Sequence, residues 1–410
     1  MNYREAEKWL FSRRRMGMKY GLERMVSMMD ELDHPERKFQ TVHIVGTNGK
    51  GSTAAILSDI AGNLGIPWGR GTSPHLLDYR ERIAVNNKWI SKGAVAEFIT
   101  DYRHLIRRHS ATFFEITSAM AAWHFASQGV KWVAAEAGLG GRLDATRTYH
   151  GAGTIFTGVR VEHSRILGDT REKIATEKIA IAAPGTVLIA ALQTSGVEEV
   201  IMDAVDRESL RRVFPVAVRK CPLPGAHQLD NSALACTAAL ELFGRSEREI
   251  EAAYSRTCIS LRWPGRLDHR RGNPTILFDV AHNPQSMEAL VEYIKLWKNP
   301  APVVLGFLSD KPWHRMVELL KGVVGPVVVT TPDSERKLEA EELATHMNQE
   351  GFQVEVRNEI GDAVARCREI ADKKPMVVTG SFFVVGGAIN ESVSRGWVSR
   401  LPNSAEDVLD

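Results

Sequence analysis

The chain has 410 residues, 44% hydrophobic and 25% charged, which is ordinary for a globular protein but long for one core, so two domains are expected. A formal net charge of +2 gives no reason to expect nucleic acid as a partner, and no apolar run approaches the roughly 20 residues that span a bilayer. Met1-Asn2-Tyr3-Arg4-Glu5 lacks the apolar stretch of a signal peptide, and Cys221, Cys236, Cys258 and Cys367 show no Cys-x-x-Cys pair, so a cytoplasmic protein with reduced thiols is expected.

In chain order, Arg13-Arg14-Arg15 lies near Glu5 and Glu7 and reads as a solvated helix face. A strand over 41–45 enters the turn Gly46-Thr47-Asn48-Gly49-Lys50-Gly51-Ser52-Thr53, and a helical stretch over 54–64 follows. A glycine-rich turn between strand and helix aims backbone N–H groups at an anion. Lys50 adds charge for outer phosphates, and Ser52 or Thr53 can bind Mg²⁺. The spacing Gly-x-x-Gly-Lys-x-Ser is shorter in its first gap than the common phosphate loop, so an ordinary glycine turn is the competing reading. Further strands are predicted over 132–136, 154–161 and 186–191, with helical periodicity over 117–126 and 170–183. A second series has strands over 275–279, 302–307, 326–331, 352–356 and 376–379, with helices over 286–297 and 340–348. The alternation argues for α/β architecture with mostly parallel sheets. The polar run 268–274 reads as a linker between an N-terminal domain, 1–267, and a smaller C-terminal domain, 275–410. The acidic end, 406–410, reads as frayed.

Ligands in open α/β sheets gather beyond the carboxyl ends of strands. Glu136 stands at such an end, as a Mg²⁺ ligand or as a carboxylate facing water. His163 follows another strand and could meet metal, phosphate or solvent. Lys178 falls within the stripe of Ile174, Ala175, Ile181 and Ala182. Facing inward it would be desolvated, keep more free amine and be able to add CO₂ as a carbamate; the alternative is snorkelling to the surface. Asp279-Val280-Ala281-His282-Asn283-Pro284 ends a strand and precedes a helix, as site or as cap. Arg266 reads as a phosphate clamp or a salt-bridge partner.

Together these segments resemble the folylpolyglutamate synthase/dihydrofolate synthase family of the Mur ligase superfamily. The markers are Lys19-Tyr20-Gly21-Leu22-Glu23-Arg24-Met25, the Gly46–Ser52 loop, Thr72-Ser73-Pro74-His75-Leu76 with Glu81-Arg82-Ile83, and Phe113-Phe114-Glu115. They continue through Gly138-Leu139-Gly140-Gly141-Arg142-Leu143-Asp144-Ala145-Thr146, Leu167-Gly168-Asp169-Thr170, Gly225-Ala226-His227-Gln228 with Asn231, Pro264-Gly265-Arg266, and Asp279 to Pro284. The resemblance implies a phosphate-loop, Mur-ligase-like nucleotide domain and a smaller Rossmann-like C-terminal domain that adds glutamate. It implies an ATP-dependent ligase that activates a folate or dihydropteroate carboxylate as an acyl phosphate for attack by L-glutamate. Gly46, Thr47, Asn48, Gly49, Lys50, Gly51 and Ser52 would hold ATP together with Asn231, Arg266 and Asp279. Ser52, Ser73, Glu136 and His163 fall at Mg²⁺ positions, with K⁺ a further candidate cation. Lys50, Lys178 and His282 would serve catalysis, Lys178 as a carbamate. Phe113, Phe114, Glu115, Arg142 and Asp144 would line the pterin pocket. A monomer is implied.

The sequence departs from the family at Glu162, where aspartate is usual, at Ile179-Ala180 in place of Ala-Gly, and at Val280 in place of glycine. None removes a catalytic group, but two glycines become bulkier beside expected site residues. A ligase for another acid and amine, or a kinase or ATPase making no amide, are the competing readings.

Overall fold

The computed structural model describes residues 1–17, 21–162 and 164–399. Lys19, Tyr20, His163 and the acidic end 406–410 lie outside the described residues. The chain forms two compact units: one gathers Met1–Ser73, Arg80–Pro222 and Gln228–Leu261, the other Pro74–Tyr79, Leu223–His227 and the chain from Arg262 onward.

The first unit is built on eight strands: β1 (Gln40–Val45), β2 (Trp68–Gly71), β3 (Ile83–Val85), β4 (Lys88–Trp89), β5 (Trp132–Glu136), β6 (Gly151–Phe156), β7 (Val187–Ala190) and β8 (Arg211–Val213). Their order is β4-β3-β2-β5-β1-β6-β7-β8, parallel except for β3 and β4 at one edge. β1 lies between β5 and β6, and all its residues but Gln40 are buried. A parallel strand covered on both faces reads as a continuous apolar run, which is why β5 and β7 were legible. Ile174, Ala175 and Ile179 of helix Arg171–Ile179 pack with Phe156, Leu188 and Ala190 of the sheet. That packing carries Lys178, on the same helix, to the sheet's carboxyl edge.

The second unit holds β9 (Asp268–Arg270), β10 (Ile276–Phe278), β11 (Val303–Leu305), β12 (Val327–Val329), β13 (Val354–Val356) and β14 (Met376–Thr379). Their order is β13-β12-β11-β14-β10-β9, with only β9 antiparallel. Leu277, Val303, Leu305, Val327, Val329 and Val377 join one core cluster, while Ile276, Phe278, Val304, Val328, Met376 and Val378 join another. The period-two alternation of strand side chains thus fills both faces of the sheet. The architecture is α/β with mostly parallel sheets.

Three expectations need correction. Residues 268–270 are not linker but β9, and Arg270 is buried there because Asp268 takes its Nε at 3.0 Å. The strand expected over 154–161 stops at Phe156, and the chain turns at Gly158, whose φ is 100°. Arg13 and Arg14 are not simply solvated. The Arg14 guanidinium lies 4.2 Å from the Phe11 ring centroid and 4.8 Å from that of Phe113, and Arg13 donates to the Ala111 carbonyl at 3.4 Å. Among the described residues no helix is long and apolar enough to cross a membrane.

Candidate active site

β1 runs into the glycine turn, and helix Lys50–Asn63 begins at Lys50. Gly49 caps that helix in the left-handed region, φ 86°, and no side chain caps the first turn, which leaves its N–H groups facing outward as an anion site. Only glycine fits at 49, because a Cβ there would overlap Asn231 Oδ1. The same oxygen accepts the Thr53 hydroxyl at 3.4 Å, so Asn231, on helix His227–Leu242, braces the loop from behind. Thr157 braces the other side through its hydroxyl, which donates to the Asn48 carbonyl at 2.6 Å. Ser52 and Thr53 are buried in the first helical turn.

Two ammonium groups converge on one carbonyl. Lys50 Nζ donates to Gly46 O at 3.1 Å and to Thr47 O at 2.8 Å; Lys178 Nζ donates to Gly46 O at 2.7 Å. Lys178 therefore takes the inward placement, with 3% of its surface exposed. Burial, and then the charge of Lys50, lower its pKa to about 8, while Glu162 works against them from 3.4 Å. The extra methylene of Glu162 thus brings a carboxylate to Lys178. Glu136 is buried at the end of β5; its Oε2 accepts from the Ser73 backbone N–H at 3.0 Å and its Oε1 lies 4.0 Å from Lys50 Nζ. The Glu136 carboxylate, at the end of β5 and beside Lys50, is an oxygen donor of the kind that suits a hard cation such as Mg²⁺. Among the described residues no three His, Cys, Asp or Glu side chains are grouped to hold a metal by themselves.

The five residues expected at a pterin pocket separate by role. Asp144 is buried, and its Oδ2 accepts from the Gly138 and Leu139 N–H groups at 2.8 and 3.1 Å. Its Oδ1 accepts from the Thr146 N–H and hydroxyl at 3.0 and 2.6 Å. Its carboxylate therefore ties the loop 138–146 together, and burial raises its pKa. Glu115 closes a capping box with Thr112 and takes Arg24 Nε at 3.0 Å, so it fixes the start of helix Phe113–Ser127. Arg142 is exposed and donates to the Glu177 carboxylate at 3.0 and 3.2 Å. Phe113 and Phe114 are half-buried on that helix's first turn, with the Arg82 guanidinium 5.3 Å from the Phe113 centroid. The Phe11 ring stacks on Phe113 at 5.8 Å between centroids, so these aromatics form one packed group at the helix start.

In the second unit, Arg266, Asp279 and His282 do come together. Asp279 is buried beyond β10, where its carboxylate accepts from the Leu267 and Ala281 N–H groups at 2.8 and 2.9 Å. The first bond accompanies a φ of 48° at Leu267, an unfavourable value for leucine, beside Arg266. Burial raises the Asp279 pKa to about 6, with Arg266 pulling the other way. His282 Nδ1 donates to the Val280 carbonyl at 2.9 Å, and its ring meets Phe382 edge-on at 5.5 Å. The Arg266 guanidinium lies 5.1 Å from the same Phe382 ring. Asn283 and Ser286 form the cap of helix Pro284–Ile294, so this segment is both cluster and cap. Neither bulkier substitution strains the backbone: Ala180 has φ −64°, and Val280 is not among the residues of positive φ.

Sequence reasoning missed Thr157, Glu162 as a partner of Lys178, and Phe382. The first had a signal, because Phe156 pairs with Val45 and so places the next residue beside the glycine turn.

Residues 265–382 match the family described as Mur ligase, glutamate ligase domain. A dihydrofolate synthase/folylpolyglutamate synthase of Bacillus subtilis is 30% identical over 377 residues, covering 83% of this chain and 88% of its own. A Mycobacterium tuberculosis folylpolyglutamate synthase complexed with ADP superposes with a TM-score of 0.86 at 28% identity, covering 98% of this chain and 99% of its own. A bifunctional folylpolyglutamate synthase/dihydrofolate synthase with Mn, AMPPNP and L-glutamate bound gives 0.83 at 25% identity, covering 94% and 97%. With sequence and fold in agreement over nearly the whole length, the chain belongs to the folylpolyglutamate synthase/dihydrofolate synthase family.

Proposed function

We propose that this protein is an ATP-dependent ligase that joins L-glutamate to the carboxylate of a folate or a dihydropteroate. The acceptor carboxylate attacks the γ-phosphorus and ADP leaves; the amine of glutamate then attacks the acyl carbon, and phosphate leaves. Within the family, the observation that carries this reading is the Lys50 ammonium at an uncapped helix start, with the buried amine of Lys178 beside it on the Gly46 carbonyl. Carboxylate and triphosphate repel each other, and fixed positive charge offsets that repulsion in the ground state and more strongly as charge develops.

Lys50 leaves its loop carbonyls to bind the outer phosphates, and the first-turn N–H groups receive the rest of the triphosphate. Ser52, Ser73 and Glu136 would hold Mg²⁺, which when bound supplies further positive charge to the phosphate oxygens; His163 is assigned to the same set from the resemblance alone. K⁺ is a second candidate, tested by exchanging it for Na⁺ in the assay. Lys178 is assigned as the carbamate: with a pKa of about 8, much of its amine is neutral near that pH and can add CO₂ with loss of a proton. A carbamate carbon signal after incubation with ¹³C-bicarbonate, absent in Lys178→Met, would support the assignment. Arg266 is assigned to phosphate, His282 to phosphate or the incoming amino acid, and Asp279 to orienting Arg266. Phe113 and Phe114 are assigned to the pterin ring, with Asp144 shaping the adjacent loop. A cytoplasmic monomer completes the reading, and light scattering on the purified protein checks the oligomeric state.

ADP release by the purified protein tests the reaction. Release that needs both glutamate and dihydropteroate or tetrahydrofolate supports it. A phosphorylated acceptor formed without glutamate dependence would favour a kinase, and a folded, ATP-binding protein inert toward both acceptors would refute the folate assignment.

A further inference from the structure

Arg266 is held at its backbone and at its guanidinium by different means, both within the second unit. At the backbone, Gly265 and Leu267 flank it at φ 72° and 48°. The Val280 N–H donates to Gly265 O at 3.0 Å, the Gly265 N–H to Asp268 Oδ2 at 3.4 Å, and the Leu267 N–H to Asp279 at 2.8 Å. A Cβ on Gly265 would lie 2.9 Å from a Val280 methyl group, so the turn is closely packed from that side. These bonds fix where the side chain starts. They leave it the rotamer freedom of a long, flexible residue. At the other end, Nη1 bends back to donate to Gly265 O at 3.2 Å, and Cζ lies 5.1 Å from the Phe382 ring centroid, within cation–π range.

The Phe382 ring is itself placed from several directions. β14 ends at Thr379, and Gly380 turns the chain at φ 107°, where a Cβ would come within 2.5 Å of Gly306 O. Ser381 then caps helix Phe382–Ser394 by accepting the Val384 N–H, which makes Phe382 its first residue. Val378 of β14 pairs with Phe278 of β10, and the Asp279 N–H donates to Val378 O at 3.0 Å, so the helix starts alongside the segment 279–282. His282, tied through Nδ1 to the Val280 carbonyl, meets the ring edge-on, and the ring also packs on the core cluster that contains Val280 and Val385. Strand register, a glycine turn and a histidine thus aim one aromatic face at one guanidinium.

We propose that Phe382 is a positioning residue for nucleotide binding: its ring holds the Arg266 guanidinium in the orientation in which it meets a phosphate of ATP. The proposal rests on the assignment of Arg266 to phosphate. A guanidinium settled on a ring loses less freedom when an anion arrives, and that preorganisation appears as affinity.

Isothermal titration of the full chain with Mg²⁺ and ATP tests it. No acceptor is needed, so failure of the folate assignment and failure of this proposal show separately. Phe382→Leu keeps apolar bulk on the core and removes the aromatic face. ATP binding should weaken roughly three- to tenfold, equivalent to about 0.7–1.4 kcal/mol at ~1.4 kcal/mol per tenfold, in the range of a cation–π contact. Phe382→Tyr keeps the face and should bind as the wild type does. Arg266→Gln should also weaken binding, and adding Phe382→Leu to it should cost less than about a further twofold, because the two act through one contact. Phe382→Met repeats the cycle with another side chain and guards against misfolding of the leucine variant. A loss that adds in full to that of Arg266→Gln would make Phe382 a packing residue and overturn the proposal. Wild-type affinity in Phe382→Leu or in Arg266→Gln would do the same, as would a tyrosine variant as weak as the leucine one.

Discussion

Replacing Lys178 by methionine should remove activity and yet stabilise the protein at neutral pH. The side chain is nearly isosteric, 3% exposed, and its pKa falls from 10.5 to about 8, mainly through burial. At ~1.36 kcal/mol per pKa unit, holding the ammonium in that place costs roughly 3 kcal/mol below pH 8. Methionine lacks that penalty but gives up the hydrogen bond to Gly46 O, worth about 1–1.5 kcal/mol. The variant should therefore be about 1–2 kcal/mol more stable at pH 7. The sign then reverses with pH. Between pH 8 and 10.5 the unfolded wild type binds more protons than the folded one, so wild-type stability rises with pH through that window, while the variant carries no such group. Its advantage should fade and become a deficit of about 1 kcal/mol near pH 10.5. Urea midpoints for both proteins, compared at pH 7, 9 and 10.5 in CO₂-free buffer, measure this. A variant less stable at pH 7 by the same margin as at pH 10.5 would show that the Lys178 ammonium is not desolvated, and the argument for a reactive free amine would fail with it.

Gly49→Ala should weaken ATP binding more than tenfold, since it forces a left-handed φ costing about 1–2 kcal/mol and a Cβ into Asn231; a nucleotide titration followed by intrinsic fluorescence checks it. Glu136→Gln keeps the shape and the Ser73 contact but loses the charge, so the Mg²⁺ needed for half-maximal ADP release should rise severalfold; a curve matching wild type would remove Glu136 from the metal set. Asp144→Ala leaves the Gly138, Leu139 and Thr146 donors without their acceptor, and a loss of about 2–4 kcal/mol is expected by denaturant unfolding, with KM for the pterin substrate rising. Asp279→Asn removes the acid whose folded pKa is about 6. Because the folded state holds that proton more tightly, wild-type stability falls as pH rises from about 4 to 6, and this fall should be absent in the variant.

Most strands that sequence made visible are buried on both faces, with the half-buried edge strand β13 an exception. β7 is wholly apolar and β5 and β14 are apolar up to their last residue, and the glycine turn after β1 announces itself by residue type. Others hide for physical reasons. β2 is Trp68-Gly69-Arg70-Gly71, whose arginine is buried beside the Trp68 ring. β8 and β9 are edge strands of charged residues, and in β9 an internal ion pair replaces apolar packing. Composition carries no trace of such pairing. At the site, side-chain chemistry named the candidates but could not say what their atoms already hold. Asp144 and Glu115 were named through the family resemblance alone; sequence gave no sign that their carboxylates hold backbone N–H groups of a loop and of a helix start. Phe382, beneath Arg266 and His282, lies far along the chain on a helix with no local mark of its neighbours.

The interleaving of the two units limits how such a protein can be cut and rejoined. Leu76 and Leu77 pack on the second unit's core, and a Cβ on Gly386 would overlap the Leu76 carbonyl, although nearly half of the chain separates these residues from that unit's main segment. A fragment begun at residue 262 would leave that hydrophobic surface bare. A hybrid made by a single crossover with a relative would confront one parent's short segment, 74–79, with the other parent's core. Exchange of the glutamate-adding half between family members should therefore succeed only when that hexapeptide travels with it.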